Sequence, residues 1–342
     1  MTAITQPKRI VPDGPFRLTS LHPGALTELQ WLPVERQAPG VGEVELQVHA
    51  VALGFRDVLM ALGMYPGVDA AAAVKFSGDC AGTIVAVGDG VDHFQVGDEV
   101  IGFVPNNYSA FTTTPTQFIA HKPAQLTFTE AVTIPGVFLT ASYALVQLAH
   151  LAQGERVLIH AATGGVGLAA VQISQQIGAE IFATAGSPEK RAYLHELGIT
   201  HVLDSRSLAF AEAIMARTNG QGVDVVLNSL AGEFLTRSLE VLGFGGRFLE
   251  LGKRDIYEHR ALDLSPFRRN LAFFAIDVES LWIERPAFVQ TLFAELLQRF
   301  ATGALQPLPY RVFPLTAIVD AFRYMRRANH IGKIVITMQD SE

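Results

Sequence analysis

The first third of the chain contains short runs of hydrophobic residues separated by clusters of Gly, Pro and Asp. Runs that alternate with polar residues, or that are rich in β-branched residues, cover 43–53, 81–87, 98–103 and 116–121. Short runs at this spacing are typical of strands joined by turns. The pattern predicts an irregular, largely antiparallel β domain.

The pattern changes near residue 155, where apolar runs begin to alternate with helical segments. The predicted strands are 156–160, 180–185, 201–203, 223–228, 247–251 and 271–276, and the predicted helices between them are 166–177, 188–197, 208–218 and 233–242. Such alternation indicates right-handed βαβ crossovers and a parallel sheet. The fold class is therefore α/β, with a doubly wound dinucleotide-binding domain beside the β-rich one.

The last elements predicted are a helix at 286–301, a strand at 308–313, a helix at 315–327 and a strand at 332–337. They are too few for an independent domain, so we expect them to return to the first domain and to make it discontinuous. A chain of 342 residues exceeds the usual size of one hydrophobic core. We predict one domain from residues 1–128 and 277–342, and a second from residues 129–276.

Composition excludes several classes of protein. Hydrophobic residues make up 49% and charged residues 17% of the chain, which is the balance of a globular protein. The net charge is −7 and the basic residues are scattered, so no nucleic-acid partner is expected.

Location is inferred from cysteine usage and from apolar segments. A single cysteine, Cys80, excludes an internal disulfide framework and fits a reducing compartment. The N-terminal residues 1–14 lack the apolar core of a secretion signal, and the apolar stretch 131–154 includes Pro135, Gln147 and His150. We expect a cytoplasmic protein with no membrane span.

The clearest local motif follows the predicted strand 156–160, where Ala161-x-x-Gly164-x-x-Gly167 opens a helix. Small residues at these positions let the backbone approach a pyrophosphate, and the N–H groups of the helix N-terminus then bind it. A tight turn without a ligand is the alternative, and the six-strand context makes it the weaker one. The candidate dinucleotide-binding residues are Ala161, Thr163, Gly164, Gly165, Val166 and Gly167.

The residues after the second strand of this domain favour NADPH. An NAD site normally has Asp or Glu at that strand end to bind the ribose hydroxyls, whereas this chain reads Thr184-Ala185-Gly186-Ser187 before Pro188. Ser187, Lys190 and Arg191 could hold a 2′-phosphate. The alternative is that Lys190 and Arg191 are solvated residues of a helix's first turn.

Several strings resemble the medium-chain dehydrogenase/reductase superfamily and, more closely, the enoyl reductase domains of modular polyketide synthases and of fatty acid synthases. In order they are Gly54-Phe55-Arg56-Asp57-Val58-Leu59, Leu62-Gly63-Met64-Tyr65-Pro66-Gly67, Gly78-Asp79-Cys80-Ala81-Gly82, Phe138-Leu139-Thr140-Ala141-Ser142-Tyr143-Ala144-Leu145, Val226-Leu227-Asn228-Ser229-Leu230-Ala231-Gly232, Gly252-Lys253-Arg254-Asp255-Ile256 and Gly332-Lys333-Ile334-Val335. One departure is Gly54, where the polyketide enzymes usually have Asn. The resemblance covers nearly the whole chain and implies a Rossmann domain with a GroES-like β-rich domain.

The zinc-dependent members of the resembling superfamily bind their catalytic metal with Cys and His. The matching positions here are Phe55, Gly78 and Gly136, none of which binds zinc, and the ten histidines are dispersed. The resemblance therefore implies a zinc-independent branch, with no metal. Without a Lewis acid, hydride delivery to a conjugated carbonyl is favoured over alcohol oxidation.

The activity that the resemblance implies is NADPH-dependent reduction of a 2-enoyl thioester carried on the phosphopantetheine of an acyl carrier protein. Hydride would reach the β-carbon, and a proton the α-carbon. The candidate proton donors are Tyr65, Lys253 and Asp277, with Asp277 better suited to orient Lys253 or a water. By resemblance, Tyr143, Asn228, Leu251 and Gly252 would line the nicotinamide and ribose region.

Three other functions remain open at this point. The chain could be a stand-alone quinone or enal oxidoreductase, which would share nearly every cofactor motif. It could be a non-catalytic NADPH-binding protein, because fold and function are separable. It could also be a divergent reductase with another outcome, such as cyclopropane ring closure with loss of a β-leaving group. A monomer or a homodimer is compatible with each.

Overall fold

The computed structural model describes residues 10–20, 22–68 and 74–339. Residues 1–9, on which much of the expectation about a secretion signal depended, lie outside this range. By compactness the chain divides into two units, Met1–Gly136 with Arg285–Glu342, and Val137–Glu284. The boundaries predicted from sequence fall close to these, one inside a short helix that begins at Phe128 and the other after Ile276.

The elements of the first unit begin with a β-rich segment. They are β1 (Phe16–Ser20), β2 (Leu29–Pro33), β3 (Glu43–Leu53), α1 (Phe55–Ala61), β4 (Ser77–Val87), β5 (Glu99–Pro105), β6 (Phe111–Pro115), β7 (Ile119–His121), α2 (Phe128–Ala131) and the start of α3 (Pro135–Ser142). Single turns of 3-10 helix occur at Leu26–Glu28 and Thr116–Phe118.

The second unit alternates strands with helices. After a π-helical segment at Tyr143–Leu148 come β8 (Arg156–Ile159), α4 (Gly165–Ile177), β9 (Glu180–Ala185), α5 (Pro188–Glu196), β10 (His201–Asp204), α6 (Phe210–Arg217), β11 (Val223–Asn228), α7 (Glu233–Glu240), β12 (Leu242–Glu250), α8 (Arg254–Tyr257), β13 (Ala272–Ala275) and α9 (Val278–Glu284). A 3-10 turn lies at Ser265–Arg269.

The chain then completes the first unit with α10 (Pro286–Ala301), β14 (Tyr310–Pro314), a 3-10 turn at Leu315–Ala317, α11 (Ile318–Arg326) and β15 (Lys333–Thr337). β15 pairs antiparallel with β3, with Ile334 opposite Leu53, and β14 pairs parallel with β15. The last two strands thus join a sheet whose other strands come from the first third of the chain. This is the discontinuous β-rich domain that was predicted.

The sheet of the first unit has seven strands in the order β14-β15-β3-β4-β5-β7, with β6 also paired to β3. The long strands β3 and β4 are the centre of this sheet, and their apolar side chains form the core together with those of α11. Burial of Val44, Leu46 and Val48 at every second position matches the two-residue period of a strand. From Ala50 to Leu53 every residue is buried, so the second half of β3 is covered on both faces.

The sheet of the second unit is parallel, in the order β10-β9-β8-β11-β12-β13. Counted from β8, this is the strand order 3-2-1-4-5-6 of a doubly wound dinucleotide fold, and it confirms the predicted fold class. The direction of winding reverses between β8 and β11. Ligands of such sheets bind outside the carboxyl ends of the strands at that reversal.

Three strands were not predicted, and two others differ in where they begin. β1 and β2 pair with each other and β6 pairs with β3, but none was predicted, because each is only five residues long and is bounded by Pro or by a 3-10 turn. The predicted strand 116–121 is a strand only from Ile119, since Thr116–Phe118 is a 3-10 turn. β12 begins at Leu242, earlier than predicted, because its glycine-rich start still pairs through an irregular register with β11.

Within the part of the chain that the structure describes, one apolar segment, Phe128–Leu148, is long and apolar enough by composition to cross a membrane. In the structure, 67% of its apolar window is buried inside the protein. Core helices pass the same test of length and composition, so this single segment is weak evidence for a membrane span.

Candidate cofactor-binding and active site

The turn between β8 and α4 has the geometry that its sequence predicts. Ala161 adopts a left-handed conformation with φ of 49°, and Gly164 is the extended N-cap residue of α4. A Cβ atom at Gly167 would lie 2.4 Å from the carbonyl oxygen of Ala161, a distance that no real Cβ contact tolerates. Glycine at position 167 therefore lets α4 pack directly against the turn.

Hydrogen bonds attach this turn to the neighbouring strand. The Ala162 N–H donates to the carbonyl of Thr184 in β9 at 2.9 Å. The ring nitrogens of buried His160 lie 3.0 Å from the Thr184 hydroxyl and 2.8 Å from that of Ser238. Burial lowers the pKa of His160 to about 3, so the ring is neutral and supports the turn as a structural residue.

The N-terminus of α4 is suited to bind a phosphate. Gly164 has no capping side chain, and Gly165, Val166 and Gly167 bring no charge into the first turn. Gly164, Gly165 and Val166 are partly exposed, whereas Thr163 and Ala162 are buried beneath them. A thirteen-residue helix with such a terminus directs its N–H groups and the positive end of its dipole toward an anion. The residues present fit the pyrophosphate of a dinucleotide.

The predicted phosphate-binding residues after β9 do not all have the same surroundings. Ser187 caps α5, and its hydroxyl accepts from the Lys190 N–H at 3.4 Å. The Arg191 guanidinium donates to the Ala185 carbonyl at 3.1 Å and lies 3.6 Å from the carboxylate of Asp204. Arg191 is thus held against the ends of β9 and β10.

Sequence analysis missed Arg206, which follows β10. A Cβ atom at Gly186 would lie 3.2 Å from the Arg206 Nε, so this guanidinium lies against the predicted 2′-phosphate region. Burial lowers the pKa of Lys190, and the charge of Arg206 lowers it further. Two cations held near each other at a strand edge form a suitable site for an anion. A basic residue just after the third strand was the signal that could have found it.

Asn228, Leu251 and Gly252 meet at the ends of β11 and β12. The Asn228 side-chain amide donates to the carbonyl of Leu230 at 2.7 Å, and the Leu251 N–H donates to the Asn228 carbonyl at 2.9 Å. The same amide donates at 2.6 Å to Glu250, a residue that sequence analysis did not single out. These residues are next to the reversal between β8 and β11.

Lys253 and Asp277 form an ion pair at the same edge of the sheet, after β12 and β13. The Lys253 Nζ lies 2.7 Å from Asp277 Oδ2, and the side chains are 21% and 40% exposed. Burial acts to raise the pKa of Asp277, but the hydrogen bonds from Lys253 and from Ser280 outweigh it and lower the pKa. Asp277 is therefore an anion that holds the Lys253 ammonium at the carboxyl edge.

Tyr143, the other residue expected near the nicotinamide, begins the π-helical segment Tyr143–Leu148 and is half-buried. In this segment the Ala149 N–H donates to the Ala144 carbonyl at 2.9 Å, five residues back. Segments of π-helix are often found at functional sites.

Tyr65 belongs to the first unit, in the turn after α1. Gly63 and Gly67 on either side have φ of 63° and 80°, and the guanidinium of Arg56 lies 5.5 Å from the Tyr65 ring centroid. Arg56 also donates to the Ser77 hydroxyl at 3.0 Å. The turn is thus held in place by a cation–π contact.

Buried Asp57 supports the beginning of α1. Its carboxylate accepts from the Gly54 N–H at 2.8 Å and from the Tyr108 hydroxyl at 2.9 Å. Burial, only partly offset by these hydrogen bonds, raises the pKa of Asp57 to about 6. This fits a structural role for the acid.

A second lysine–aspartate pair lies in the first unit. The Lys333 Nζ donates to Asp79 Oδ2 at 2.9 Å, and the other carboxylate oxygen of Asp79 accepts from the Gly136 N–H at 2.7 Å. Asp79 fills the space beside Gly136, because a Cβ atom there would lie 2.7 Å from Asp79 Oδ1. Across the described residues, no group of three His, Cys, Asp or Glu side chains could hold a metal ion.

Two family models match the chain. That of the alcohol dehydrogenase GroES-like domain matches residues 40–153, and that of zinc-binding dehydrogenase matches residues 197–336. Among solved structures, the CurK enoyl reductase is 46% identical, with a TM-score of 0.87 over 95% of this chain and 99% of that one. The chain belongs to the enoyl reductase branch of the medium-chain dehydrogenase/reductase superfamily.

Two further proteins resemble this chain. The CurF ER cyclopropanase from the curacin A biosynthetic pathway is 40% identical, with a TM-score of 0.89 over 94% of this chain and 99% of that chain. A phenolphthiocerol/phthiocerol polyketide synthase of Mycobacterium tuberculosis is 44% identical over 322 residues. That match covers 94% of this chain but only 15% of the synthase polypeptide.

Membership of the enoyl reductase branch confirms the resemblance drawn from the sequence and makes the chain an oxidoreductase. The matched family is described as zinc-binding, whereas the resemblance assigns Phe55, Gly78 and Gly136 to the positions of the metal ligands, and none of these side chains binds zinc. The comparisons do not bear on the individual site residues, which remain predictions.

Proposed function

We propose that the chain catalyses NADPH-dependent reduction of a 2-enoyl thioester carried on an acyl carrier protein. The observation that carries the proposal is the Lys253–Asp277 pair, which lies at the same carboxyl edge as the glycine turn and the Lys190–Arg206 cations. That edge combines residues suited to a phosphorylated dinucleotide with an ammonium group suited to donate a proton. The similarity to polyketide synthase enoyl reductases supports the thioester substrate and its carrier.

Different residues of the second unit would bind different parts of NADPH. The N–H groups at Gly165, Val166 and Gly167 would hold the pyrophosphate, and Lys190 with Arg206 the 2′-phosphate. Asn228, Leu251 and Gly252 would contact the ribose and nicotinamide, together with Tyr143. When bound, NADPH supplies the hydride that the β-carbon accepts.

The side chains must still supply the proton that the α-carbon receives. As the β-carbon gains hydride, the thioester becomes an enolate, and protonation of the α-carbon completes the saturated thioester. The Lys253 ammonium donates this proton, and anionic Asp277 orients the ammonium. Tyr65 influences the face from which the proton arrives.

NADPH oxidation with a panel of 2-enoyl thioesters on pantetheine, followed by product identification, tests the proposal. A saturated thioester as product supports it. Good reduction of a quinone with no turnover of any enoyl thioester would favour a stand-alone quinone oxidoreductase. NADPH binding without oxidation by any conjugated acceptor would favour a non-catalytic protein.

Ring closure is a second candidate, favoured by the 40% identity to the CurF ER cyclopropanase. In that outcome the enolate would displace a leaving group on the substrate instead of taking a proton. A three-membered ring closed from the α-carbon needs the leaving group on the γ-carbon, not on the β-carbon as expected from the sequence. A substrate with a γ-halogen therefore distinguishes the two reactions, because one yields a saturated halogenated thioester and the other a cyclopropane with release of halide.

A further inference from the structure

Glu250, the last residue of β12, carries a carboxylate that is almost completely buried, with the residue 2% exposed. One oxygen accepts from the Asn228 side-chain amide at 2.6 Å, and the other accepts from the Gly252 N–H at 2.5 Å. A carboxylate is costly to bury unless hydrogen bonds compensate it. Its two partners lie where two neighbouring strands lead into loops: Asn228 is the last residue of β11, and Gly252 follows β12.

The loop after β11 is held tightly by this contact. The Asn228 amide that donates to Glu250 also donates to the Leu230 carbonyl, and the Asn228 side-chain oxygen accepts from the Leu230 N–H at 3.2 Å. The hydrogen bonds fix the side-chain torsions of Asn228. Its orientation therefore depends on the carboxylate.

The loop after β12 is shaped by the same carboxylate. A Cβ atom at Gly252 would lie 2.6 Å from Glu250 Oε1, so a residue with a side chain does not fit while the carboxylate is in place. Gly252 directly precedes Lys253, whose ammonium is paired with Asp277. The position of Gly252 thus sets where the Lys253 side chain begins.

Asp255 is the charged group that acts on the Glu250 carboxyl, and the Lys253–Asp277 pair follows β12 and β13 at the same edge. Asp255 accepts from the Gly232 N–H at 2.7 Å and so also joins the two loops. Burial raises the pKa of Glu250 to about 7 despite its hydrogen bonds, and the charge of Asp255 contributes in the same direction. The carboxylate therefore changes its charge within the ordinary working range of an enzyme.

We infer that Glu250 is a positioning residue, whose carboxylate holds the loop carrying Asn228 and the loop carrying Lys253 in register for the reaction. The consequence for turnover rests on the proposed function. The mechanical part of the inference, that one carboxylate fixes both loops, is independent of the substrate.

Amide hydrogen exchange tests the mechanical part. Glu250→Gln keeps the size of the side chain but turns an amide donor toward either Asn228 or Gly252, so one hydrogen bond is lost. We expect faster exchange in the peptides that cover 228–232 and 251–255. Glu155→Gln is the matched control, because Glu155 accepts from Arg247 at 2.6 Å at the opposite edge of the same sheet. Unchanged exchange in both loops of the Glu250 variant overturns the inference.

Steady-state kinetics test the consequence for catalysis. We expect Glu250→Gln to lower kcat about tenfold to a hundredfold with little change in the thioester KM, since displacing a reacting group by about 1 Å costs up to ~10²-fold. Glu250→Asp, which retracts the carboxylate by one methylene, should lower kcat as well. A normal kcat in both variants overturns the inference.

The pH profile separates positioning from simple support of the fold. Below a pH of about 7 the Glu250 carboxyl gains a proton and no longer accepts from both partners, so kcat of the unaltered protein should fall on the acid side. In Glu250→Gln, kcat should be low at every pH and should not fall further on the acid side. If kcat of the variant still falls on the acid side, another group causes the fall, and the inference is contradicted.

Stability provides the last readout. Because burial raises the pKa of Glu250 from 4.5 to about 7, ionisation costs folding free energy that grows as the pH rises through this window. A neutral glutamine avoids that cost, so the Tm at pH 8 should not fall. A large fall in Tm, with kcat lost only in proportion to unfolded protein, would reduce Glu250 to a structural residue and overturn the inference.

Failure of the proposed function looks different from failure of the inference. If the unaltered protein reduces no enoyl thioester, the proposed function fails, and loosened exchange in the two loops still supports the role of the carboxylate. If the unaltered protein turns over while Glu250→Gln changes neither exchange nor kcat, the proposed function stands and the inference fails.

Discussion

Two lysine–aspartate pairs with nearly the same geometry lie in the two units of this protein, but their surroundings differ. The Lys253–Asp277 pair spans 2.7 Å with side chains 21% and 40% exposed, whereas the Lys333–Asp79 pair spans 2.9 Å with both side chains 6% exposed. The first is at the carboxyl edge of a parallel sheet, where ligands bind. The second is inside a β-rich core, and its aspartate also accepts from Gly136. The proposed function assigns proton delivery to the more exposed pair, whereas the buried pair supports the core.

The largest effect is expected from the buried pair. Asp79→Ala leaves the Lys333 ammonium buried without a counter-charge, which should cost about 3–5 kcal/mol of unfolding free energy. Chemical denaturation measures this loss. The double variant Asp79→Leu with Lys333→Met removes both charges and should recover most of it. If Asp79→Ala lowers the unfolding free energy no more than breaking the Lys253–Asp277 pair does, then burial does not distinguish the two pairs.

Breaking the exposed pair should affect turnover instead of stability. Lys253→Ala removes the proposed proton donor and should lower kcat about a hundredfold. Its unfolding free energy should change by less than about 1 kcal/mol, as for other exposed pairs. Lys253→Arg keeps the charge beside Asp277 but does not release a proton readily. Full turnover in Lys253→Arg would mean that the lysine acts only through its charge.

The basic residues at the ends of β9 and β10 sharpen the comparison. Arg206→Ala should raise the KM for NADPH about tenfold while leaving that for NADH unchanged, which is equivalent to losing one charge-assisted hydrogen bond. Arg191→Ala should have a smaller effect, since Arg191 already donates to Ala185 and faces Asp204. A larger rise in the NADPH KM for Arg191→Ala than for Arg206→Ala would assign the 2′-phosphate to Arg191, one of the residues predicted from sequence.

The smallest effect on rate is expected from Tyr65→Phe. If Lys253 donates the proton, loss of the tyrosine hydroxyl should change kcat by far less than the ~10²-fold of a lost donor. The configuration at the α-carbon should become mixed, which chiral analysis of a 2-methyl product measures. A fall in kcat as large as that of Lys253→Ala would make Tyr65 the donor and reduce the Lys253–Asp277 pair to an orienting role.

The parts of the fold that sequence analysis predicted depend on local patterns. β9, β11 and α10 have the predicted bounds, because an apolar run or a helical period ends at a charged residue, a glycine or a proline. The turn at Ala161–Gly167 was recognised for the same reason, since every residue it requires is within one short segment. β1 and β2 were missed because their stability comes from pairing with each other, which a single short run does not reveal.

The site residues that were missed depend on contacts between distant segments. Arg206 reaches the cofactor region only because β10 lies beside β9, and Glu250 acquires its partner Asn228 only through the pairing of β11 with β12. Lys333 and Asp79 are 254 positions apart in sequence and in direct contact in the fold. Spacing along the chain contains no record of such neighbours, so residue type alone did not single them out.

The π-helical segment at Tyr143–Leu148 has a consequence for how this helix could be engineered. A hydrogen bond that spans five residues accommodates one residue more than the regular α-helical spacing does. Deleting a single residue between Tyr143 and Ala149 would restore that spacing, because the wider π turn already absorbs the extra residue and keeps the flanking turns in register. A one-residue deletion would therefore remove the bulge beside Tyr143 while leaving the faces of the flanking turns in place.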